Sequence, residues 1–206
     1  MIAHHDSTAA LIGCAIGGYL LGSIPFGLII TRQAGVGDIR QIGSGNIGAT
    51  NVLRTGRRDL ALFTLLGDGG KGTVAVLLAA MISPVGAAVA GCAAFLGHLF
   101  PIWLRFKGGK GVATFFGVMI AAAWPAGLAA GATWIVVAAV FRYSSLAALI
   151  AAVLAPVFVG LLVGWGAPSF WLALAMAVLI FLRHGENIER LIEGKEAKIG
   201  AAKKAS

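Results

Sequence analysis

The chain has 206 residues, 59% of them apolar and only 12% charged, with a mean hydropathy of +0.91. A soluble domain carries about twice that share of charge, so a soluble globular enzyme, a disordered tail and a coiled coil are excluded. Lipid must be the solvent, and the length suffices for about six to eight spans of ~20 residues in a single membrane domain, 1–206.

The net charge of +8 reads as topology and headgroup contact, not nucleic-acid binding. Thirty glycines fall among the apolar segments, where small residues let helices approach, and in short polar loops. Cys14 and Cys92 both sit in apolar stretches and read as small core residues.

In chain order, Met1 to Ser7 contains no Lys or Arg and so lacks the basic start of a cleaved signal peptide; it is expected to stay in the mature chain. Apolar segments follow at roughly 8–31, 60–82, 85–104, 108–123, 126–141, 146–164 and 168–182. They predict an all-α integral membrane protein of about seven transmembrane helices. Basic loops follow the first and third segments, and Arg142 and Arg183 mark two further ends. Uncharged turns lie at Ser83-Pro84, Trp124-Pro125 and Gly164–Pro168.

With seven crossings and the N-terminus outside, all sixteen Lys and Arg fall on the cytoplasmic half, and so does the C-terminus. His4, His5 and Asp6 are then the titratable residues left outside. A kink at Trp124-Pro125 inside one long helix would put Arg142 and the tail from Arg183 on the outer face, against that bias. Two short spans are therefore expected there. The second segment, with Asp68 and Lys71 inside an apolar frame, reads either as one span or as an interfacial stretch at 57–67 followed by a short span.

Polar residues cluster in four places. The first is Gly43-Ser44-Gly45-Asn46-Ile47-Gly48-Ala49-Thr50-Asn51-Val52-Leu53-Arg54. Its glycines allow successive backbone N–H groups to turn inward, Ser44, Asn46, Thr50 and Asn51 add neutral donors, and Arg54 adds a planar cation. That set suits a phosphate oxyanion; it equally describes a capped turn with a positive-inside Arg. It is not a Walker A loop, because no Gly-Lys-Ser/Thr follows at the required spacing.

The second is Gly67-Asp68-Gly69-Gly70-Lys71-Gly72, where two charges three residues apart need each other or a ligand. The third is His98-Leu99-Phe100-Pro101, then Phe106-Lys107-Gly108-Gly109-Lys110-Gly111-Val112-Ala113-Thr114. Two lysines among three glycines at a helix start combine cation, bare N–H groups and a helix dipole, all favouring an anion. His98 alone reads as a satisfied structural histidine. The last is Arg183-His184-Gly185-Glu186-Asn187-Ile188-Glu189-Arg190, where His184, Asn187, Ile188 and Leu191 share one helix face. That face fits a polar substrate or an ordinary amphipathic exit helix.

At these residues the sequence resembles the bacterial acyl-phosphate-dependent glycerol-3-phosphate acyltransferases, the PlsY family. The likeness runs from Gly22-Ser23-Ile24-Pro25-Phe26-Gly27 through all four clusters to Gly194 and Glu196. It implies transfer of an acyl group from acyl phosphate to the 1-hydroxyl of sn-glycerol 3-phosphate, giving lysophosphatidic acid and phosphate. This is the first committed step of phospholipid biosynthesis. It implies a bacterial inner-membrane protein with a cytoplasmic site and membrane lipid as its medium. It implies neither acyl-CoA nor acyl carrier protein as direct donor, and no cofactor or metal.

Carried over residue by residue, the resemblance marks Ser44, Arg54, His184 and Asn187 as needed for activity and the Lys107–Gly111 loop as phosphate-binding; Lys110, read as neutralising phosphate charge, joins the first four as the catalytic candidates. Gly43, Gly45, Asn46, Gly48, Thr50, Asn51, Lys107, Gly108, Gly109, Gly111, Thr114 and Ser145 are the phosphate-binding candidates. Asp68, Lys71, His98, Arg190 and Glu196 are supporting, with Glu196 structural. The family often reads Arg-Tyr-x-Ser-Leu-x-Ser after the fifth span. Here Arg142-Tyr143-Ser144-Ser145-Leu146-Ala147-Ala148 lacks the second serine, so a hydroxyl contact there falls to Ser145.

An acyl phosphate is a mixed anhydride and already activated, so neither a covalent nucleophile nor a metal is required. The protein must instead hold two mutually repelling anions in reacting geometry. Two other functions fit the sequence less well. A permease would place its polar site at the midplane between repeats, whereas these groups lie at span ends. A CDP-alcohol transferase needs a spaced aspartate array that Asp38, Asp59 and Asp68 do not make.

Overall fold

The computed structural model describes residues 7–200. The expectations for Met1 to Asp6, His4 and His5 among them, lie outside the described residues. The described residues are helical, with no strand among them. In order, the helices are α1 (Thr8–Gly22), α2 (Phe26–Gln33), the single-turn α3 (Ala49–Val52), α4 (Arg58–Ala80) and α5 (Pro84–Leu99). Then come α6 (Val112–Ala122), α7 (Trp124–Phe141), α8 (Ser144–Leu162), α9 (Pro168–Arg183) and α10 (Gly185–Ile192).

Each of the seven apolar segments is thus helical, but they are unequal. Five stretches, Thr8–Gln33, Arg58–Ala80, Pro84–Leu104, Trp124–Phe141 and Ser144–Leu162, are long and apolar enough to cross a membrane. The pair α9 and α10, bent by 63°, makes a sixth if taken as one span. Helix α6 has 11 residues and rises only ~16 Å, about half the hydrocarbon thickness. It is short because it starts at the glycine loop and ends where the chain turns back.

That turn is Trp124-Pro125. A Cβ placed on Gly127 would lie 2.6 Å from the Ile120 nitrogen, whereas residues seven apart in one helix are separated by ~10 Å. Helix α7 therefore folds back along α6, and the site is a hairpin, not a kink. The alternative break near residue 67 is also settled, since α4 is continuous from Arg58 to Ala80. The first apolar segment does break, at Ser23-Ile24-Pro25, where proline removes a backbone donor.

Of four apolar clusters among the described residues, two position the site. The larger one joins α4 to α9 around Phe95, Phe115, Met119, Met176 and Ile180. The smaller one lies at the loop end, where Leu28, Ile39, Ile47, Val52 and Leu60 pack α2 and the 39–52 segment onto the first turns of α4. Outward residues such as Leu62, Phe63 and Leu66 of α4 and Leu161 of α8 stay exposed, as lipid-facing positions do.

Without a hydrophobic drive between helices in lipid, association needs close backbone contact. Helices α1 and α5 supply it. Gly18 and Gly22, four apart on α1, face Ala90 and Ala94 on α5. A Cβ at Gly22 would sit 2.0 Å from the Ala94 carbonyl oxygen. The Tyr19 hydroxyl then donates to the Phe100 carbonyl at 2.7 Å, fixing the end of α5. Gly22→Val should therefore lower thermal stability in detergent by ~1–3 kcal/mol through overpacking. Gly17→Ala, with nothing within 4 Å, should leave the melting temperature unchanged.

Candidate active site

The first glycine loop is knotted around one side chain. The Asn51 amide nitrogen donates to the carbonyls of Ile39 (3.0 Å), Ile42 (2.8 Å) and Asn46 (2.8 Å). Its oxygen accepts from the Ser44 backbone N–H at 2.9 Å and the Ser44 hydroxyl at 3.2 Å. Asn51 is buried and its bonding capacity is used within the loop, so it shapes the loop and is not turned to a ligand. The Gly45 N–H is also internal, donating to Ile42. Gly43 takes a positive φ of 59°, and a Cβ there would meet Asn51 Oδ1 and Arg54 Cδ. The Arg54 side chain thus lies across Gly43, and among the described residues its guanidinium has no carboxylate partner. Thr50 Oγ1 reaches Ser144 Oγ at the start of α8, 3.3 Å away.

The second cluster is a buried polar knot. Lys71 Nζ donates to Asp68 Oδ1 at 2.9 Å and to the Ile24 carbonyl at 2.7 Å, the carbonyl released by the break before α2. It also lies 2.9 Å from His98 Nδ1. All three side chains are at most 3% exposed. The knot ties α4 to α5 and to the α1–α2 break, level with the start of α6, where the Thr114 hydroxyl donates to the Asp68 carbonyl at 2.8 Å. Thr114 is fully buried in that bond, so it braces α6 and is turned away from any ligand.

The third loop lies directly on the knot. The N–H groups of Gly108 and Gly109 donate to Leu99 and His98 carbonyls at 3.1 Å each, closing the C-terminal end of α5. These N–H groups are therefore not bare, contrary to the expectation from sequence. The glycines serve close approach instead. A Cβ on Gly108 would lie 2.1 Å from the His98 carbonyl oxygen, and one on Gly109 would lie 2.3 Å from His98 Nε2. Gly111, at φ 82°, turns the chain into α6 against the Phe95 ring.

The last motif closes over this loop. Lys110 Nζ donates to Asn187 Oδ1. Asn187 Nδ2 donates to Glu196 Oε1 at 2.6 Å, which also accepts from Ser145 Oγ at 2.6 Å. Arg190 Nε donates to Glu196 Oε2 at 2.8 Å. Burial pushes the Glu196 carboxyl up, but the bonds from Ser145, Arg190 and Asn187 outweigh it and hold it below the ordinary carboxylate range. Burial, with Arg190 nearby, pushes the Lys110 ammonium below its ordinary value, against the opposing pull of Glu196 and Glu186. His184 is buried, and its Nδ1 sits 2.8 Å from the Ile180 carbonyl. A carbonyl only accepts, so that bond places the proton on Nδ1 and leaves Nε2 as an acceptor.

Most of the sequence-derived residues thus meet at one end of the bundle. Lys110, Asn187, Glu196, Ser145 and Arg190 form one connected chain, and Thr50 touches the serine adjacent to it. Asp68, Lys71 and His98 lie beneath the loop as a brace. Asn46 contributes its carbonyl to Asn51, while Gly48 accepts from Asn51 and Val52 in the loop's own backbone. Lys107 stands apart, lining a cleft with Arg32, Arg40, Trp103, Leu104 and Arg105. Arg183 was not among the candidates, yet its Nε and Nη2 donate to the Gly109 and Gly108 carbonyls at 3.3 Å. Its guanidinium also sits 5.5 Å from the Phe100 ring centre. In the sequence it heads the last polar cluster, but as a cation in the last turn of a span it reads there as a topology signal.

The contact between Gly109 and His98 yields a suppressor test. Gly109→Ala should lower activity at least ~10-fold by lifting the loop, since an interior has no slack for a methyl group. Adding His98→Ala should restore part of it, measured as acyl transfer by purified protein. If the second change restores nothing, the loop does not rest on His98.

Comparison with known proteins agrees with this architecture. The glycerol-3-phosphate acyltransferase family model matches residues 12–194. A glycerol-3-phosphate acyltransferase of Caulobacter vibrioides is 67% identical over 198 residues, covering 94% of this chain and 90% of its own. That of Rhodospirillum rubrum is 56% identical over 202 residues, covering 94% and 93%. Among solved structures, the glycerol 3-phosphate form of PlsY (YgiH), an integral membrane glycerol 3-phosphate acyltransferase, is similar with a TM-score of 0.87 and 37% identity, over 92% of this chain and 96% of that one. Its lysophosphatidic acid form is similar with a TM-score of 0.86 and 36% identity, over 92% and 95%. With five to six helices among the described residues able to cross a membrane, the motifs in order and relatives of this closeness, the chain belongs to the glycerol-3-phosphate acyltransferase family, as an integral membrane member of the PlsY type.

Proposed function

We propose that the protein transfers an acyl group from an acyl phosphate to the 1-hydroxyl of sn-glycerol 3-phosphate, giving lysophosphatidic acid and phosphate. The observation that carries this reading is the bonded chain from Lys110 through Asn187 and Glu196 to Ser145. It joins the glycine loop, the last motif and the start of α8 into one polar surface, with Thr50 and the first loop beside it.

The chemistry needs little beyond placement. The hydroxyl oxygen attacks the acyl carbonyl carbon and an ester bond forms. The anhydride bond to phosphate breaks, and phosphate leaves with the electron pair. The hydroxyl proton passes to a phosphate oxygen, so no protein base is needed. Arg54 and Lys110 neutralise the two anions, with Lys107 adding positive potential nearby. Ser44, Thr50 and the N–H groups of Gly43 and Gly48 fix phosphate oxygens, while Gly45 shapes the loop, and the loop around Lys110 and Gly111 offers the start of α6. Asn187 and His184 position the substrate, Nε2 of His184 accepting from a hydroxyl. Holding the hydroxyl ~3–3.5 Å from the acyl carbon supplies much of the rate.

The same reading places the protein in the bacterial inner membrane with the N-terminus outside and the site and C-terminus at the cytoplasmic face. Its support is the gathering of Arg and Lys in the loops at 32–58, 105–110, 142 and 183–198. Purified protein given palmitoyl phosphate and labelled glycerol 3-phosphate, with no added metal, should form lysophosphatidic acid. Palmitoyl-CoA and palmitoyl acyl carrier protein should not replace the donor. Product formed only with a thioester would overturn the donor, and label taken up by vesicles with no product would indicate transport.

Lys110 sets a pH dependence. Its pKa is lowered, so its charge is lost at a lower pH than that of an ordinary lysine as pH rises. Activity should decline on the alkaline side below the ordinary lysine range of ~10.4. Lys110→Arg should move that limb upward in the pH–rate profile, because guanidinium stays protonated, while Lys110→Ala should be crippled at every pH.

A further inference from the structure

Beside the site lies a cleft of about 410 Å3, lined by Arg32, Arg40, Trp103, Leu104, Arg105 and Lys107. It opens where the last turn of α2, the turn at Ile39–Gln41 and the turn at Ile102–Leu104 meet. Asp38 holds two of its four cations side by side. Asp38 Oδ2 is 3.1 Å from Arg32 Nη2 and 2.5 Å from Arg40 Nη2, and Oδ1 is 2.9 Å from Arg40 Nε. Among the described residues, the side chains of Arg105 and Lys107 have neither a carboxylate nor a hydrogen-bond partner. The cleft therefore carries excess positive charge.

The backbone reverses sharply beside it. Arg105 at φ 52° and Phe106 at φ 61° both take the left-handed conformation that non-glycine residues avoid. Bonds from the Phe106 N–H to Pro101 (3.0 Å) and from the Lys107 N–H to Leu104 (3.1 Å) hold the reversal. Arg105 and Lys107 both line the cleft, and Phe106 between them stays exposed with Ile102 and Trp103. Leu104 packs on the smaller core, which seats the turn. None of Ser44, Arg54, Lys110, His184 or Asn187 lines this cleft.

We propose that this cleft binds the phosphate of an anionic phospholipid headgroup at the membrane surface. Three arginines and a lysine match a phosphate, guanidinium by its planar fork. The volume lies in the range of small-ligand pockets. The exposed Ile102, Trp103 and Phe106 select a lipid over a soluble anion. An aromatic and aliphatic rim beside cations belongs at the headgroup level of a bilayer. A lipid held there anchors the segment 102–107, which leads into the Gly108–Gly111 loop.

The test uses full-length protein reconstituted in bilayers containing brominated lipid, which quenches nearby tryptophan. The signal of Trp103 is taken as the difference between wild type and Trp103→Phe. Brominated phosphatidic acid should quench it with a relative affinity ~5-fold or more above brominated phosphatidylcholine, a modest fraction of what four cations supply at a surface. Arg32→Gln with Arg105→Gln should reduce the preference to near one, and Arg32→Lys with Arg105→Lys should retain it. Equal quenching by the two lipids in wild-type protein overturns the proposal, whether or not the glutamine variant folds. Displacement of the brominated lipid from Trp103 by glycerol 3-phosphate at millimolar concentration would also overturn it, assigning the cleft to soluble phosphate esters.

Discussion

The site depends on one backbone-to-backbone contact. The C-terminal end of α5 leaves carbonyls without helical partners, and in a membrane such groups are costly to leave unmet. Gly108 and Gly109 satisfy two of them, at Leu99 and His98, from a loop lying almost flat on the helix end. The approach is close enough that any side chain at either position would collide. Lys110 is thereby set at a fixed height above the bundle, next to Asn187. Arg183 holds the loop from the other side through the carbonyls of Gly108 and Gly109, so the loop is gripped by its backbone while the Lys110 side chain meets Asn187.

Beneath that contact, two opposite charges are buried where the sequence shows an apolar helix. Asp68 and Lys71 are tolerable there because Lys71 has three partners, one of them the carbonyl of Ile24 freed by the helix break. Removing one member of such a buried pair leaves the other uncompensated, a loss of ~3–5 kcal/mol in proteins generally. The same break that looks like a defect in the first span thus completes the support under the loop.

Above the loop, Glu196 acts as the common acceptor. Ser145 comes from α8, and Asn187 and Arg190 from α10, and they meet at one carboxylate on the stretch that follows α10. This fixes the Asn187 amide with its oxygen toward Lys110. The tail is itself strapped down, since Ile199 and Arg142 exchange bonds at 2.7 and 3.0 Å. Cations and neutral donors are thus held in fixed relation to one another by protein groups alone.

Length, hydropathy and the placement of Lys and Arg were sufficient for an all-helical membrane chain, seven helical segments and a turn at Trp124-Pro125. The motifs identified the family because Gly, Asn and charged residues are rare in such a frame, and each stands out against it. Pattern alone could not show what each polar atom faces. Asn51 and Thr114 look like ligand donors by type, but tertiary contacts turn both inward. The N–H groups of Gly108 and Gly109 look bare, but the carbonyls of Leu99 and His98 at the end of α5 take them up. Arg183 looks like a topology signal, but it clamps the loop. Periodicity and charge bias are properties of one segment in its solvent, so the sequence determines them by itself. Which donor meets which acceptor is a property of segments brought together, and only the packed bundle decided it.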